Sequence, residues 1–480
     1  MATTIPLNQC AFDAGGIIDA TAATLSGNRH LKIKSVSIDT RTIRPGDLFV
    51  ALRGVRDGHE FVETSAQLGA AAAIVERGRC NPNLPCFEVD DTLRALGALA
   101  RYHLERLRAR SSLPVIAIGG AAGKTTTKQI TAALMSTLFG EILATPGNLN
   151  NLIGVPMTLL TLTPGHHAAV LECGTNQRGE IAQLSDIVRP DIAMVLNVDI
   201  EHTEGLGSLE GVADEESALF AQARCAIVSC SEELLIARIP AGIRTVTFGR
   251  DIAADVRLVS RNVISPGRQA IKFELARWLV DSGTSVEIEA TLNLLGAPIA
   301  ENAAAAVAAT ATAWGRPLRH DQLAAMCRAL SSVHGEPGRL STRELNGIVV
   351  IDDTYNANPR SVRAALSVAR ETADLLKSRL IVALGDMLEL GKLSQMMHEA
   401  AMRDVITVHP DYFIAVGSEF IGATNHTPQE VGAPRIKVVR NSAEGGDFVR
   451  TIVRRGDVLL LKGSRATRME HIIDCLSAAS

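Results

Sequence analysis

Aromatic residues are scarce in this chain: phenylalanine, tryptophan and tyrosine together supply 3% of its 480 residues. That leaves few platforms for stacking single-stranded bases and few anchors for a bilayer interface. A basic excess is missing too. Forty-eight lysines and arginines against fifty-two aspartates and glutamates give a net charge of -4, so no large phosphate-backbone footprint is available and nucleic acid is not expected as a partner. No apolar run approaches the ~20 residues of a membrane span; the alanine-rich stretch from Asn302 to Trp314 is too short. The opening MATTIPLNQCAFDAGG has no basic segment leading into an apolar core and a small-residue cleavage site, which predicts a cytoplasmic protein. The eight cysteines, at positions 10, 80, 86, 173, 225, 230, 327 and 475, lack the paired spacing of a zinc site and are expected as reduced thiols. Short-period repeats and a low-complexity tail are absent as well.

What is present is enough apolar sequence for more than one core, since 46% of residues are hydrophobic and single cores stop growing near ~250 to 300 residues. Three domains are expected. The basic, helix-favouring segment Leu96 to Pro114 separates a first block, 1–110, from a middle block, 111–331, and SSVHGEPGR precedes a last block, 332–480, with the hinge expected before Gly338. In the middle block the runs VIAI, AAVLE and IAMVLNV alternate with helical stretches such as TKQITAALMSTLF, whose Ile130, Ala133, Leu134, Thr137 and Leu138 share one face. Alternation of this kind predicts a doubly wound parallel sheet covered by helices. GIVVIDD, SRLIVALGD, DYFIAVG and GDVLLLKG repeat the scheme in the last block and predict a second such sheet. Ligands of these sheets lie beyond the carboxyl ends of the strands.

Directly after VIAI comes Gly119-Gly120-Ala121-Ala122-Gly123-Lys124-Thr125-Thr126-Thr127, running into a helix. Small residues let backbone N–H groups close around phosphate oxygens, the helix N-terminus adds positive potential, and Lys124 adds a full charge. Thr125 is placed to hold Mg²⁺. Ile118 stands where the usual G-x-x-x-x-G-K-[ST] pattern has glycine, so the loop is a variant. The plainer reading is a Gly-rich turn without a ligand, which the agreement of strand, loop, lysine, hydroxyl and helix disfavours. Glu172 closes AAVLE and His202 follows IAMVLNVDIE; a carboxylate and an imidazole at neighbouring strand ends suit Mg²⁺, although each alone reads as a satisfied loop residue. Cys173, beside Glu172, reads as small packing.

With these residues in hand, the chain resembles the Mur ligase family over nearly its full length, most closely the MurF branch. Asp39-Thr40-Arg41 with PGDLFVAL, then Gly54-Val55-Arg56-Asp57-Gly58-His59, resemble the family's uridine-nucleotide domain. GKTTT, Thr145-Pro146-Gly147-Asn148-Leu149-Asn150-Asn151, Ile153-Gly154-Val155-Pro156 and GSLEGVA match the middle domain, and IDDTYNANP, LGDMLELG with His398, and KGSRATRME match the last. The resemblance implies an α/β architecture: a smaller N-terminal α/β domain, a central P-loop-type sheet and a C-terminal Rossmann-like sheet. It also implies ATP-dependent amide ligation through an acyl phosphate with Mg²⁺, joining D-alanyl-D-alanine to a UDP-linked muramoyl tripeptide, by an enzyme expected to be monomeric. By the same resemblance ATP would meet Gly120, Gly123, Lys124, Thr125, Thr126, Asn302, Arg339, Asp353 and Asn356. Catalysis would rest on Lys124, Glu172 and His202. Substrates would meet Asp39, Thr40, Arg41, Asp57, His59, Asn148, Asn151 and Asn358, the last equally readable as a turn or cap residue.

Three departures stand out. Gly119 replaces the family's usual threonine, Pro298 and Ile299 replace a His-Asn pair after Gly296, and Glu216 occupies the position where most Mur ligases carry a carbamylated lysine that holds a second Mg²⁺. Glu216 would supply that charge without modification; alternatively Asp214, Glu215 and Glu216 form one solvated helix face. These changes keep two other readings open, a paralogue joining a different carboxylate and amine, and a catalytically weak ATP-binding module that regulates a partner.

Overall fold

The computed structural model describes residues 4–199, 206–424 and 434–477. A five-stranded sheet opens the chain, in which Thr24–Ser26 pairs antiparallel with Cys86–Val89 and the remaining strands run parallel. The helix Thr92–Arg108, capped by Asp91 through the amides of Leu93 and Arg94, leads out of it. This helix belongs to both of its neighbours. Its Leu96, Leu99, Ala100 and Leu104 sit in one continuous core with Ile17, Leu48 and Phe87 on one side and Leu171 and Leu184 on the other. His103 bonds the Leu162 carbonyl at 2.9 Å, and Arg108 pairs with Asp191 at 2.6 Å.

Among the described residues the middle sheet has nine strands, and Val115–Gly119 lies between Ala168–Glu172 and Ile192–Val195, all parallel and fully buried. Burial on both faces is why these runs read as unbroken aliphatic sequence. The parallel part is longer than three strands, and it continues into an antiparallel extension, Val256–Ser265, Arg268–Leu275 and Val286–Leu292, that the α/β alternation did not announce. In the second of these, alternate residues Ile271, Phe273 and Leu275 are buried. The helix Ala297–Trp314 covers the sheet; its alanines let it lie close to the phosphate-loop helix Lys124–Phe139, with Ala303 to Ala309 fully buried. Leu330 ends the last helix of this block and Ser341 begins the next strand.

A six-stranded sheet completes the chain, parallel except for the edge strand Ser341–Leu345. Among the described residues, no helix is long and apolar enough to cross a membrane.

Candidate active site

The phosphate loop is held open by backbone geometry and by long-range polar contacts. Gly120 (φ +118°) and Gly123 (φ +88°) adopt conformations that favour glycine, and a Cβ on Gly123 would lie 2.3 Å from the Asn302 side-chain nitrogen. Asn197, just past the strand Ile192–Val195, brackets the loop: its side chain accepts from the Ala122 amide and donates to the Ala122 carbonyl, both at 2.9 Å, and its carbonyl accepts from Ala121 at 3.0 Å. The Thr125 and Thr126 amides lie in the first helical turn, where no intrahelical acceptor exists. Lys124 folds its ammonium back onto the Gly120 carbonyl.

Glu172 sits one strand away, 1% exposed. Its Oε1 accepts from the Thr125 hydroxyl at 3.1 Å and from Asn150 Nδ2 at 2.9 Å. Among the described residues its Oε2 is buried without a hydrogen-bond donor, and the Lys128 ammonium lies 3.3 Å from it. Lys128 is itself buried and donates to the Gly147 carbonyl at 2.9 Å, joining the phosphate-loop helix to the segment that carries Asn148 and Asn151. Asn151 caps the helix Gly154–Leu159 through the amides of Ile153 and Gly154, and Asn148 is exposed. His202 lies outside the described residues. Cys173 is fully buried, and burial, reinforced by the carboxylates of Glu216 and Glu172, pushes its thiol well above the usual range, as packing requires and a nucleophile does not.

The three acids on the helix Leu209–Ser217 do not share a face. Asp214 is exposed and paired with Arg238 at 2.6 Å. Glu215, 6% exposed, accepts from the amides of Gly179 and Ile181 at 2.6 and 2.8 Å. Glu216, 2% exposed, accepts from the Gly120 amide at 2.7 Å. The solvated-face reading is therefore corrected: successive helical residues are ~100° apart, so only the first of the three reaches water.

In the last domain, Arg339 stacks on Tyr355 with its guanidinium carbon 3.9 Å from the ring centre, and lies 3.7 Å from Glu336, which accepts from Gln129 of the phosphate-loop helix at 2.7 Å. Asp353 is spent on structure: it accepts from the Leu340 amide at 3.0 Å and from Lys462 at 2.6 Å, and Lys462 also donates to the Asn356 carbonyl at 2.7 Å. The ATP contact implied for Asp353 would compete with those two donors. Asn358 caps the helix Pro359–Leu376 in a reciprocal box with Ser361. Beside it, Asn356, Asn358, Leu388, Glu389, Ser464 and Arg465 line a cavity of about 310 Å³. His398, fully buried, accepts the Met387 amide at 3.0 Å and so fixes the Asp386 to Leu390 wall.

In the first domain the expected residues are bonded within their own turns. Asp39 caps the turn Thr40–Thr42 and clasps Arg41 at 2.6 Å, and that guanidinium holds the Asp39 carboxyl below the usual range. His59 accepts the Glu76 amide at Nε2 (2.9 Å), so its proton is on Nδ1, which donates to Asp57 at 2.7 Å. With both ring nitrogens engaged and the ring buried, His59 anchors this turn from within the domain.

Three regions match models of known families: Mur ligase family, catalytic domain, at 32–103; Mur ligase middle domain at 118–310; and Mur ligase, glutamate ligase domain, at 338–465. The chain is also 33% identical, over 93% of its length and 94% of the relative's, to the UDP-N-acetylmuramoyl-tripeptide--D-alanyl-D-alanine ligase of Escherichia coli. The chain belongs to the Mur ligase family. Among solved structures, MurF from Acinetobacter baumannii superposes with a TM-score of 0.86 at 31% identity, covering 99% of this chain and 100% of that one. MurF from Thermotoga maritima, solved in complex with ADP, gives 0.77 at 26%, covering 92% and 97%. The chain is thus an ATP-dependent ligase of the kind that forms C–N bonds.

Sequence reading missed Asn197 and Lys128, and it gave no role of their own to Asn150 and Lys462, which stand inside the motifs TPGNLNN and KGSRATRME.

Proposed function

We propose that this ligase adds D-alanyl-D-alanine to UDP-N-acetylmuramoyl-tripeptide in the cytoplasm, at the cost of one ATP. The observation that carries the reading is the last-domain cavity: IDDTYNANP, LGDMLELG and KGSRATRME, far apart in sequence, meet around one space of about 310 Å³. Alanyl methyl groups suit walls of Leu388, Leu390 and Ala357, and Arg465 suits a terminal carboxylate, because its planar fork matches carboxylate geometry. Lys124 and the loop amides would hold the ATP phosphates while the tripeptide carboxylate attacks the terminal phosphorus, breaking its bond to the bridging oxygen and releasing ADP. The amine then displaces phosphate from the resulting acyl phosphate.

Thr125, Glu172 and His202 are the residues that would hold Mg²⁺, with Glu216 as a further carboxylate. No group of three or more His, Cys, Asp or Glu among the described residues is arranged to hold a metal, yet Mg²⁺ needs only one or two protein oxygens beside phosphate and water. The buried Glu172 Oε2 without a donor fits that role. When bound, the ion would neutralise phosphate charge.

Phosphate release should require the nucleotide-tripeptide and D-alanyl-D-alanine together. Release driven instead by a different carboxylate and amine would favour the paralogue, and none at all would favour the regulatory module. Arg465→Ala is expected to raise the dipeptide KM roughly tenfold or more, the loss of about one charge-assisted contact, with the ATP KM unchanged; steady-state kinetics checks both. Glu216 carries its charge without prior reaction with CO₂, so full activity is expected in CO₂-depleted buffer. A loss rescued by bicarbonate would sink that assignment.

A further inference from the structure

Gly119 is a glycine without a backbone reason. It is the last residue of the strand Val115–Gly119, and unlike Gly120 and Gly123 it does not take a positive φ. What it lacks is room. A Cβ there would lie 2.8 Å from Glu216 Oε2, closer than such atoms are found, and 3.2 Å from the Leu219 side chain. The same Glu216 oxygen accepts the Gly120 amide at 2.7 Å. One buried carboxylate therefore both fills the space beside Gly119 and fastens the first amide of the phosphate loop, from a helix 96 residues further along the chain.

We propose that Glu216 is a positioning residue for the phosphate loop, and that Gly119 and Glu216 are one functional unit, the glycine admitting the carboxylate that fixes the loop. This rests on the reading of the loop as the ATP phosphate site and adds a role separate from metal binding. A carboxylate among phosphates is costly unless it is compensated, and here the compensation is visible. Burial pushes the Glu216 carboxyl up, while the Lys124 ammonium and the Gly120 amide oppose that rise. The pair Glu216 and Lys124 thus grips Gly120 on both its polar groups, Glu216 at the amide and Lys124 at the carbonyl. A side chain at position 119 would push the carboxylate away and release the amide, so the loop's first peptide would be free to rotate.

The test separates this positioning from charge and from metal. ADP affinity is measured by calorimetry in EDTA, where no divalent ion contributes, on Glu216→Gln and Glu216→Ala. Glutamine keeps an oxygen for the Gly120 amide and alanine does not, so Glu216→Ala should bind ADP about tenfold more weakly than Glu216→Gln. Gly119→Ala should cost about tenfold in ADP affinity and in kcat in the natural background, and little when combined with Glu216→Ala. If Glu216→Ala does not fold, Glu216→Asp replaces it, because the shorter acid withdraws its oxygen from the Gly120 amide; it should weaken ADP binding as the alanine would, and adding Gly119→Ala should then cost little more. Equal affinities for the glutamine and alanine variants, a harmless Gly119→Ala, or strictly additive effects would each overturn the proposal. Failure of the unaltered enzyme to bind ADP at all would instead overturn the reading of the loop as an ATP site.

Discussion

Lys124→Ala is expected to lower kcat by roughly 10³-fold or more while the thermal midpoint stays within a few degrees. The magnitude follows from what a single preorganised donor contributes where charge develops: about 10² to 10³ for a neutral hydrogen bond, and more for a full charge on a transferring phosphoryl group. The small stability change follows from position. Lys124 is the first residue of its helix and partly exposed, and its ammonium bonds the loop's own Gly120 carbonyl. The core beneath consists of Ile130, Leu134 and Met135 and does not include it. Phosphate release with saturating substrates, alongside a melting curve, checks both halves. A folded variant with turnover near that of the parent would remove Lys124 from the chemistry, and a large fall in melting point would make it structural.

That residue was legible because the phosphate loop is a local device. Strand, small residues, lysine, hydroxyls and helix follow one another within the segment from Val115 to Phe139, and the backbone N–H groups they present need no distant partner to be inferred. The residues that hold the loop were not legible for the opposite reason. Asn197 meets Ala122 across 75 residues and Glu216 meets Gly120 across 96, so each looks in sequence like any polar residue near a strand or helix end. Glu216 was weighed against a solvated face because three consecutive acids usually face water. Only the rotation of the helix, which turns Asp214 out and the other two in, decides between them. The antiparallel extension of the middle sheet was readable in principle, since Ile271, Phe273 and Leu275 alternate with polar residues. Strand-helix alternation, the stronger signal on either side of it, masks that two-residue period.

The last domain offers the largest expected change in stability. Lys462 is 1% exposed, and its ammonium lies 2.6 Å from Asp353 and 2.7 Å from the Asn356 carbonyl. A buried ion pair adds little over well-packed apolar residues, but removing one partner strands the other, typically at ~3 to 5 kcal/mol. Lys462→Met keeps most of the volume and leaves the Asp353 carboxylate with the Leu340 amide as a donor but without its cation. The last domain should therefore lose about that much stability, a shift on the order of 10 °C in its melting. Asp353→Asn combined with Lys462→Met should recover most of the loss, since no unpaired charge then remains. Activity has a second reason to fall. Lys462 pins the Asn356 carbonyl, and Asn356 and Asn358 form one wall of the proposed dipeptide cavity. With that wall loosened, the dipeptide KM should rise in Lys462→Met even at temperatures where the domain is folded, and it should stay high in the double variant although stability returns. Calorimetric unfolding and dipeptide kinetics on the three variants separate the two effects. A Lys462→Met enzyme that melts with its parent would mean that the pair is not what holds this end of the sheet, and a normal KM in the double variant would mean that the Asn356 wall is held by other contacts.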